Sequence, residues 1–155
     1  MIIRSILVAL DLTESSQHIL EFARMVAAAS NSSLHLLHVI ASPVATPGAL
    51  EENRRAALRR LEGLLDRVDR DAGHATYSCE TGTPAHEIVQ YATDHAVDLI
   101  VMGTHSHGPG YHLPYGSAAD TVLRLAPCAV LAVKSGDTTA RIPVRTTIAA
   151  ARGEA

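Results

Sequence analysis

The sequence predicts an α/β domain built on a largely parallel sheet, and three observations carry that reading. Short runs rich in Val, Ile and Leu alternate with helix-length amphipathic stretches. Several of the runs are apolar on both parities, as strands covered by helices on both faces must be. The apolar share is 47% with only 3% aromatic, and 25 of the 155 residues are Ala, so the core is aliphatic and its elements pack closely. A chain of this length forms one domain and buries roughly 70% of the surface it exposes when unfolded, enough for a core without staples.

The strands are expected at Ile2 to Leu10, Leu34 to Ile40, Ala75 to Cys79, Asp98 to Met102 and Cys128 to Val133. The third, ATYSC, is the least apolar and reads as an edge. Between them, Ile19, Ala23, Val26 and Ala27 form the first helical stripe. Leu50, Ala57, Leu58, Leu61, Leu65 and Val68 form the second, with Glu51 and Arg55, and Asp66 and Arg70, paired at i,i+4 on its far side. Ile88, Val89, Ala92 and Ala96 form the third. Thr46 and Thr83 stand as N-caps before Pro47 and Pro84, where a missing N–H costs nothing. A fourth helix is expected from Gly116 or Ser117, with Ser117 and Asp120 at capping-box spacing and Pro127 at its end. The order is βαβαβαβαβ, each crossover right-handed.

Residues 1–134 make up this domain, and 135–155 form a C-terminal tail with no helical pattern. Its alternating Ile142, Val144, Thr146 and Ile148, interrupted by Pro143, leave two readings open: a loose segment, or a strand added to a sheet edge. Nucleic acid is a poor partner for the chain, because 13 Lys and Arg against 16 Asp and Glu give no basic excess and the stacking aromatics are missing. Two distant cysteines, Cys79 and Cys128, indicate no disulfide framework and fit a reducing compartment. The first apolar run is too short for a signal peptide or a membrane span, so the expected location is the cytoplasm.

Ligands of open α/β sheets bind beyond the carboxyl ends of the strands, where the strand order reverses. The richest segment in such a position is GTHSHGPGYHLPYGS, residues 103–117, with four glycines and three histidines before a helix start. Free N–H groups at that start, from Gly116, Ser117 and Ala118, would cradle a phosphate. The sequence has no Walker-type G-x-x-x-x-G-K-[ST], and the turn after the first strand, DLTESS, lacks the glycines of a dinucleotide fingerprint.

Taken together, ILVALDLTESS, LLHVI, ETGTPAHEIV, DLIVMGTHS and YGSAADTVLRLAPCAVLAVK closely resemble the universal stress protein family, over residues 2 to 134. The resemblance implies an open five-stranded parallel sheet in order 3-2-1-4-5, Rossmann-like and of the adenine nucleotide alpha hydrolase kind, with Asp11 and Gly103 side by side at the switch point. The ATP-binding branch carries G-x-x-G, nine residues, then G-[ST]. Gly103, Gly116 and Ser117 match that pattern here, and Ser106 replaces the second glycine. The resemblance assigns Asp11 and the backbone of Val39 to adenine, and Ala9 and Gly103 to the adenosine side. It assigns Ser106, Gly116, Ser117 and Ala118 to phosphates, and His105 stands where the family often has a histidine. The implied ligand is ATP, or ADP or AMP, with no metal beyond the Mg accompanying a nucleotide. A non-glycine residue costs about 1 kcal/mol where φ is positive, roughly five- to tenfold in affinity.

Asp11 has a second reading as the N-terminal cap of the first helix. His105, His107 and His112 carry metal-donor atoms, but H-x-H-x4-H with no carboxylate in the loop is not a strong ligand spacing. His107 and His112 also suit pH-responsive contacts to a phosphate. No G-x-S-x-G elbow and no base beside Ser117 point to catalysis, so the chain reads as a binding protein and not an enzyme. The fifth strand, expected at a sheet edge, needs covering. The resemblance implies that it meets its copy in a homodimer. The alternative function is an interaction module of the same fold that binds no nucleotide and acts through its dimer or partner surfaces.

Overall fold

The computed structural model describes residues 2–41, 46–65, 69, 74–104, 118–134 and 148–149. In chain order they form β1 (Ser5–Ala9), α1 (Ser15–Ser30), β2 (Ser33–Ala41), α2 (Pro47–Leu64), β3 (Ala75–Gly82), α3 (Pro84–Asp94), β4 (Leu99–Gly103), α4 (Ala118–Leu125), β5 (Ala129–Val133) and β6 (Ile148–Ala149). The sheet order is β3-β2-β1-β4-β5-β6. The first five strands are parallel, in the expected order 3-2-1-4-5.

Period-two alternation in the central strands feeds two cores. Ile6, Val8, Leu34, Leu36, Val101 and Leu131 pack against Ile19, Leu20, Ala23, Ala57 and Leu61 of α1 and α2. Leu7, Ala9, Leu37, Ile100, Met102 and Val130 face Ala85, Ile88, Ala92, Ala119 and Val122 of α3 and α4. The helices change face because right-handed crossovers running outward from β1 to β3, then back past β1 to β4 and β5, must lie on opposite sides. That change of direction opens the crevice between β1 and β4.

Several boundaries differ from the sequence reading. β1 begins only at Ser5, where Asp98 Oδ2 accepts the N–H groups of Arg4 (2.8 Å) and Ser5 (3.0 Å) and so fixes the strand entrance, while Ile2 remains exposed. β3 runs on to Gly82, because Glu80, Thr81 and Gly82 continue the register against Val39, Ile40 and Ala41. Thr46 caps α2 by accepting the Ala49 N–H at 3.5 Å, whereas Thr83 makes no side-chain cap bond at α3. Glu51 and Arg55 pair at 3.0 Å as expected. Asp66, Arg70 and Val68 lie outside the described residues, as does the Ser117 cap expected for α4.

Ala96, placed in the apolar stripe by its spacing, is exposed and stands outside α3 with φ of 49°. The helix ends there in a Schellman closure, the Val97 N–H reaching the Ala92 carbonyl at 3.0 Å and the Ala96 N–H reaching Thr93 at 3.3 Å. The buried role passes to Val97. A side chain in the left-handed region is disfavoured, so Ala96→Gly is expected to stabilise the domain by about 1 kcal/mol and raise Tm by about 2–4 °C in a thermal melt.

Of the stretch read as a tail, residues 148–149 form β6, antiparallel on β5, with Val130 opposite Ala149 and Leu131 opposite Ile148; Ile142, Val144 and Thr146 lie outside the described residues. Within one chain β5 is therefore not the outermost strand, contrary to its expected place. β3 is an edge, as its weak apolarity suggests.

Below β2, on the α3 face, His35 stands edge-on to Tyr91, and Tyr91 stacks on His95 with ring centroids 3.8 Å apart. The Thr76 hydroxyl lies 3.2 Å from His35 Nδ1. Burial, and next the charge of His95, hold the His35 imidazole below its ordinary 6.5. The folded state thus binds fewer protons there than the unfolded state. Its contribution is complete above pH 6.5 and is lost as pH falls from that value toward the folded pKa, then levels off. Melts between pH 8 and 5 are expected to show Tm dropping below pH 6.5, with a shallower drop for His35→Gln.

Candidate functional site

The carboxyl ends of β1 and β4 set the site. Ala9 closes β1, buried between Leu37 of β2 and Met102 of β4. The β1–β4 register ends at Ala9 and Met102; beyond it one strand leads through Leu10 to Asp11 and the turn into α1, and the other ends at Gly103, so Asp11 and Gly103 follow the two strand ends at the reversal point.

Asp11 is half-buried, and its Oδ1 carries three bonds: from the Thr13 N–H (2.9 Å), the Thr13 hydroxyl (2.6 Å) and the Ser16 hydroxyl (3.3 Å). This is an Asx turn with an added tie to the first turn of α1. The N-cap position itself belongs to Glu14, whose side chain makes no cap bond, so Asp11 is not the cap of α1. Its second oxygen, Oδ2, has no partner among the described residues. The next residue, Leu12, is buried with φ of 61°, a left-handed conformation that costs a branched side chain about 1–2 kcal/mol and holds the turn tight.

Val39 lies near the end of β2. In a parallel ladder the N–H and C=O of one residue point the same way, and alternate residues face alternate neighbours. The Ser33 N–H reaches Arg4 (2.8 Å) and the Leu37 carbonyl takes the Leu10 N–H (2.9 Å), so odd-numbered residues of β2 face β1. Val39 therefore turns both backbone groups toward the place that β1 has just left. Among the described residues the next rung, from the Val39 N–H to the Leu10 carbonyl, is not formed. Instead His38 Nδ1 lies 2.8 Å from that carbonyl. A carbonyl only accepts, so Nδ1 carries the proton.

Opposite, Ala118 is half-buried and opens α4, which has Asp120 in its first turn, paired to Arg124 at 2.9 Å. His105, Ser106, Gly116 and Ser117, with His107 and His112, lie outside the described residues. Of the residues expected at the site, Ala9, Asp11, Val39, Gly103 and Ala118 are described. Two residues outside the expected set also reach this turn: His38, and Arg60 of α2, whose guanidinium Nη2 donates to the Leu12 carbonyl. Arg60 lies in no motif and His38 stands within LLHVI, whose pattern says nothing of this bond; the strand register and the docking of α2 bring both to the turn.

Neither cysteine thiol is activated by its surroundings. Burial, and next the charge of Asp98, push the Cys128 thiol up to about 11, so it is protonated at neutral pH, and burial also raises that of Cys79. Among the described residues no group of three His, Cys, Asp or Glu is placed to hold a metal. No helix among them is long and apolar enough to cross a membrane.

The model of the universal stress protein family matches residues 3–134. The chain is 35% identical to universal stress protein A homolog 1 of Coxiella burnetii over 143 residues, covering 84% of this chain and 95% of that one. Among solved structures, universal stress protein UspA from Lactobacillus plantarum superposes with a TM-score of 0.73 at 24% identity, covering 86% of this chain and 99% of its own. A universal stress protein solved in complex with cAMP gives a TM-score of 0.69 at 21% identity, over 88% of this chain and all of that one.

Proposed function

This chain belongs to the universal stress protein family, and from that premise we propose that it binds ATP or another adenine nucleotide at the carboxyl ends of β1 and β4 and acts as a dimeric, nucleotide-responsive regulator. The observation that carries the reading is the Val39 edge, unladdered among the described residues, beside the Oδ2 of Asp11, which has no partner among them, at the switch point. Adenine presents an amine donor beside a ring-nitrogen acceptor. The Val39 N–H and C=O and the Asp11 carboxylate offer the complementary acceptor and donor groups. Guanine would turn a carbonyl oxygen toward the carboxylate, so the site is expected to prefer ATP over GTP.

On this reading Ala9 and Gly103 leave room for the adenosine. Ser106, Gly116, Ser117 and Ala118 hold phosphates by backbone N–H groups and hydroxyls, with His105 beside them and Mg as the nucleotide's own counterion. A relative in complex with cAMP supports an adenine nucleotide as the ligand class. The role is binding, with nucleotide changing the surface a partner sees. The homodimer is retained in this reading, since β6 pairs only with Val130 and Leu131 and leaves the rest of that β5 edge without a partner among the described residues.

Isothermal titration tests the reading. ATP is expected to bind, and Ser106→Gly is expected to tighten binding about five- to tenfold by removing a Cβ from the glycine position. Mass identification of small molecules released from the purified protein gives an independent check. If ATP, ADP and AMP give no heat with either form, the protein is instead an interaction module with an empty pocket. Sedimentation as a monomer would overturn the dimer alone.

A further inference from the structure

Building on the adenine site just described, we propose that His38 and Arg60 are its positioning residues: they occupy the carbonyls on either side of Asp11, and His38 thereby leaves the Val39 edge open to the base. Three observations meet at this turn. The Leu10 carbonyl, just before Asp11, accepts from His38 Nδ1 at 2.8 Å. The Leu12 carbonyl, just after it, accepts from Arg60 Nη2. Leu12 itself is held at φ of 61°, where leucine does not rest without outside support.

The consequences differ for the two residues. The Leu10 carbonyl points toward β2 and is the acceptor that the Val39 N–H would take if the β1–β2 ladder continued. With the imidazole there, the carbonyl is satisfied by a side chain and the chain has no drive to close that rung. The N–H that a base would read is spared. Arg60 acts from outside the sheet. A guanidinium bond to the Leu12 carbonyl, together with the burial of the Leu12 side chain, keeps the turn in its left-handed form. Relaxation of Leu12 would rotate the Asp11–Leu12 peptide and carry the carboxylate away from the Gly103 side of the crevice. Because α2 supplies Arg60, the position of that helix is also coupled to the base site.

The test combines amide hydrogen exchange with nucleotide titration on the full chain. In nucleotide-free wild-type protein the Val39 amide is expected to exchange quickly. In His38→Leu it is expected to slow at least about tenfold as the rung closes, and ATP affinity to fall about tenfold with loss of the preference over GTP. His38→Asn, which retains an N–H donor of similar reach, is expected to restore both. Arg60→Ala is expected to weaken ATP about five- to tenfold and narrow the ATP-to-GTP ratio, with Arg60→Lys recovering part of it. Should Val39 exchange be unchanged in His38→Leu, or should ATP affinity and base preference be unmoved in His38→Leu and Arg60→Ala, the positioning roles are wrong while the adenine site stands. If the wild-type protein binds no adenine nucleotide, the adenine site itself is wrong, and the positioning roles built on it fall too.

Discussion

Replacing Asp11 by Ala is expected to weaken ATP binding by about one to two orders of magnitude, the usual cost of removing a charged hydrogen-bond partner. The same change releases the Thr13 N–H and hydroxyl and the Ser16 hydroxyl from Oδ1. Thr13 is exposed and its groups can turn to water, whereas Ser16 is buried, so some loss of stability accompanies the loss of binding. Asp11→Asn separates the two effects. Its side-chain oxygen keeps the Asx turn, while the amide replaces the carboxylate that discriminates adenine from guanine. Titration of wild type and both variants with ATP and GTP is expected to show Asp11→Asn folded as wild type but with its base preference reduced or reversed. Unchanged affinity in Asp11→Ala would remove Asp11 from the site.

The second large effect is on stability. Leu36 is fully buried in β2, on the face where α1 and α2 close over the sheet. Leu36→Ala removes its methyl groups from a position flanked by strands on both sides that cannot collapse into the space. A cost of about 3–5 kcal/mol is expected, lowering Tm by about 10 °C in a domain of this size. A loss under about 1 kcal/mol by denaturant titration would mean that this face is not packed as described. The next residue, His38 on the same parity, illustrates the contrast: it is half-buried, and its value lies in one bond to the site.

How much was legible follows from where information sits along the chain. The central parallel strands were readable because burial on both faces demands unbroken apolar runs, and β1, β4 and β5 have them. Helix stripes were readable where apolar spacing is long, as in α1 and α2. Ends were not: Ala96 fits the apolar period of α3, yet the chain must turn there, and the backbone bond from Val97 to Ala92 outweighs the periodicity. Asp11 and Gly103 were legible as candidate site residues through their motif and the strand-order rule. The state of Asp11, with Oδ1 committed to the turn and Oδ2 without a partner among the described residues, was not, because it depends on where the Thr13 and Ser16 hydroxyls come to rest.

By itself the sequence determined the α/β class, the two-sided aliphatic core and the family, since each is written in contiguous residues whose spacing reflects local geometry. Only the tertiary structure decided that β6 lies on β5, that Leu12 stands in a left-handed turn, and that His38 and Arg60 take the carbonyls flanking Asp11. The β6 pairing and the two carbonyl bonds join residues 17 to 48 positions apart through single hydrogen bonds and register steps. A linear pattern carries no record of such meetings, because they arise when strands fix their register and α2 packs against the sheet.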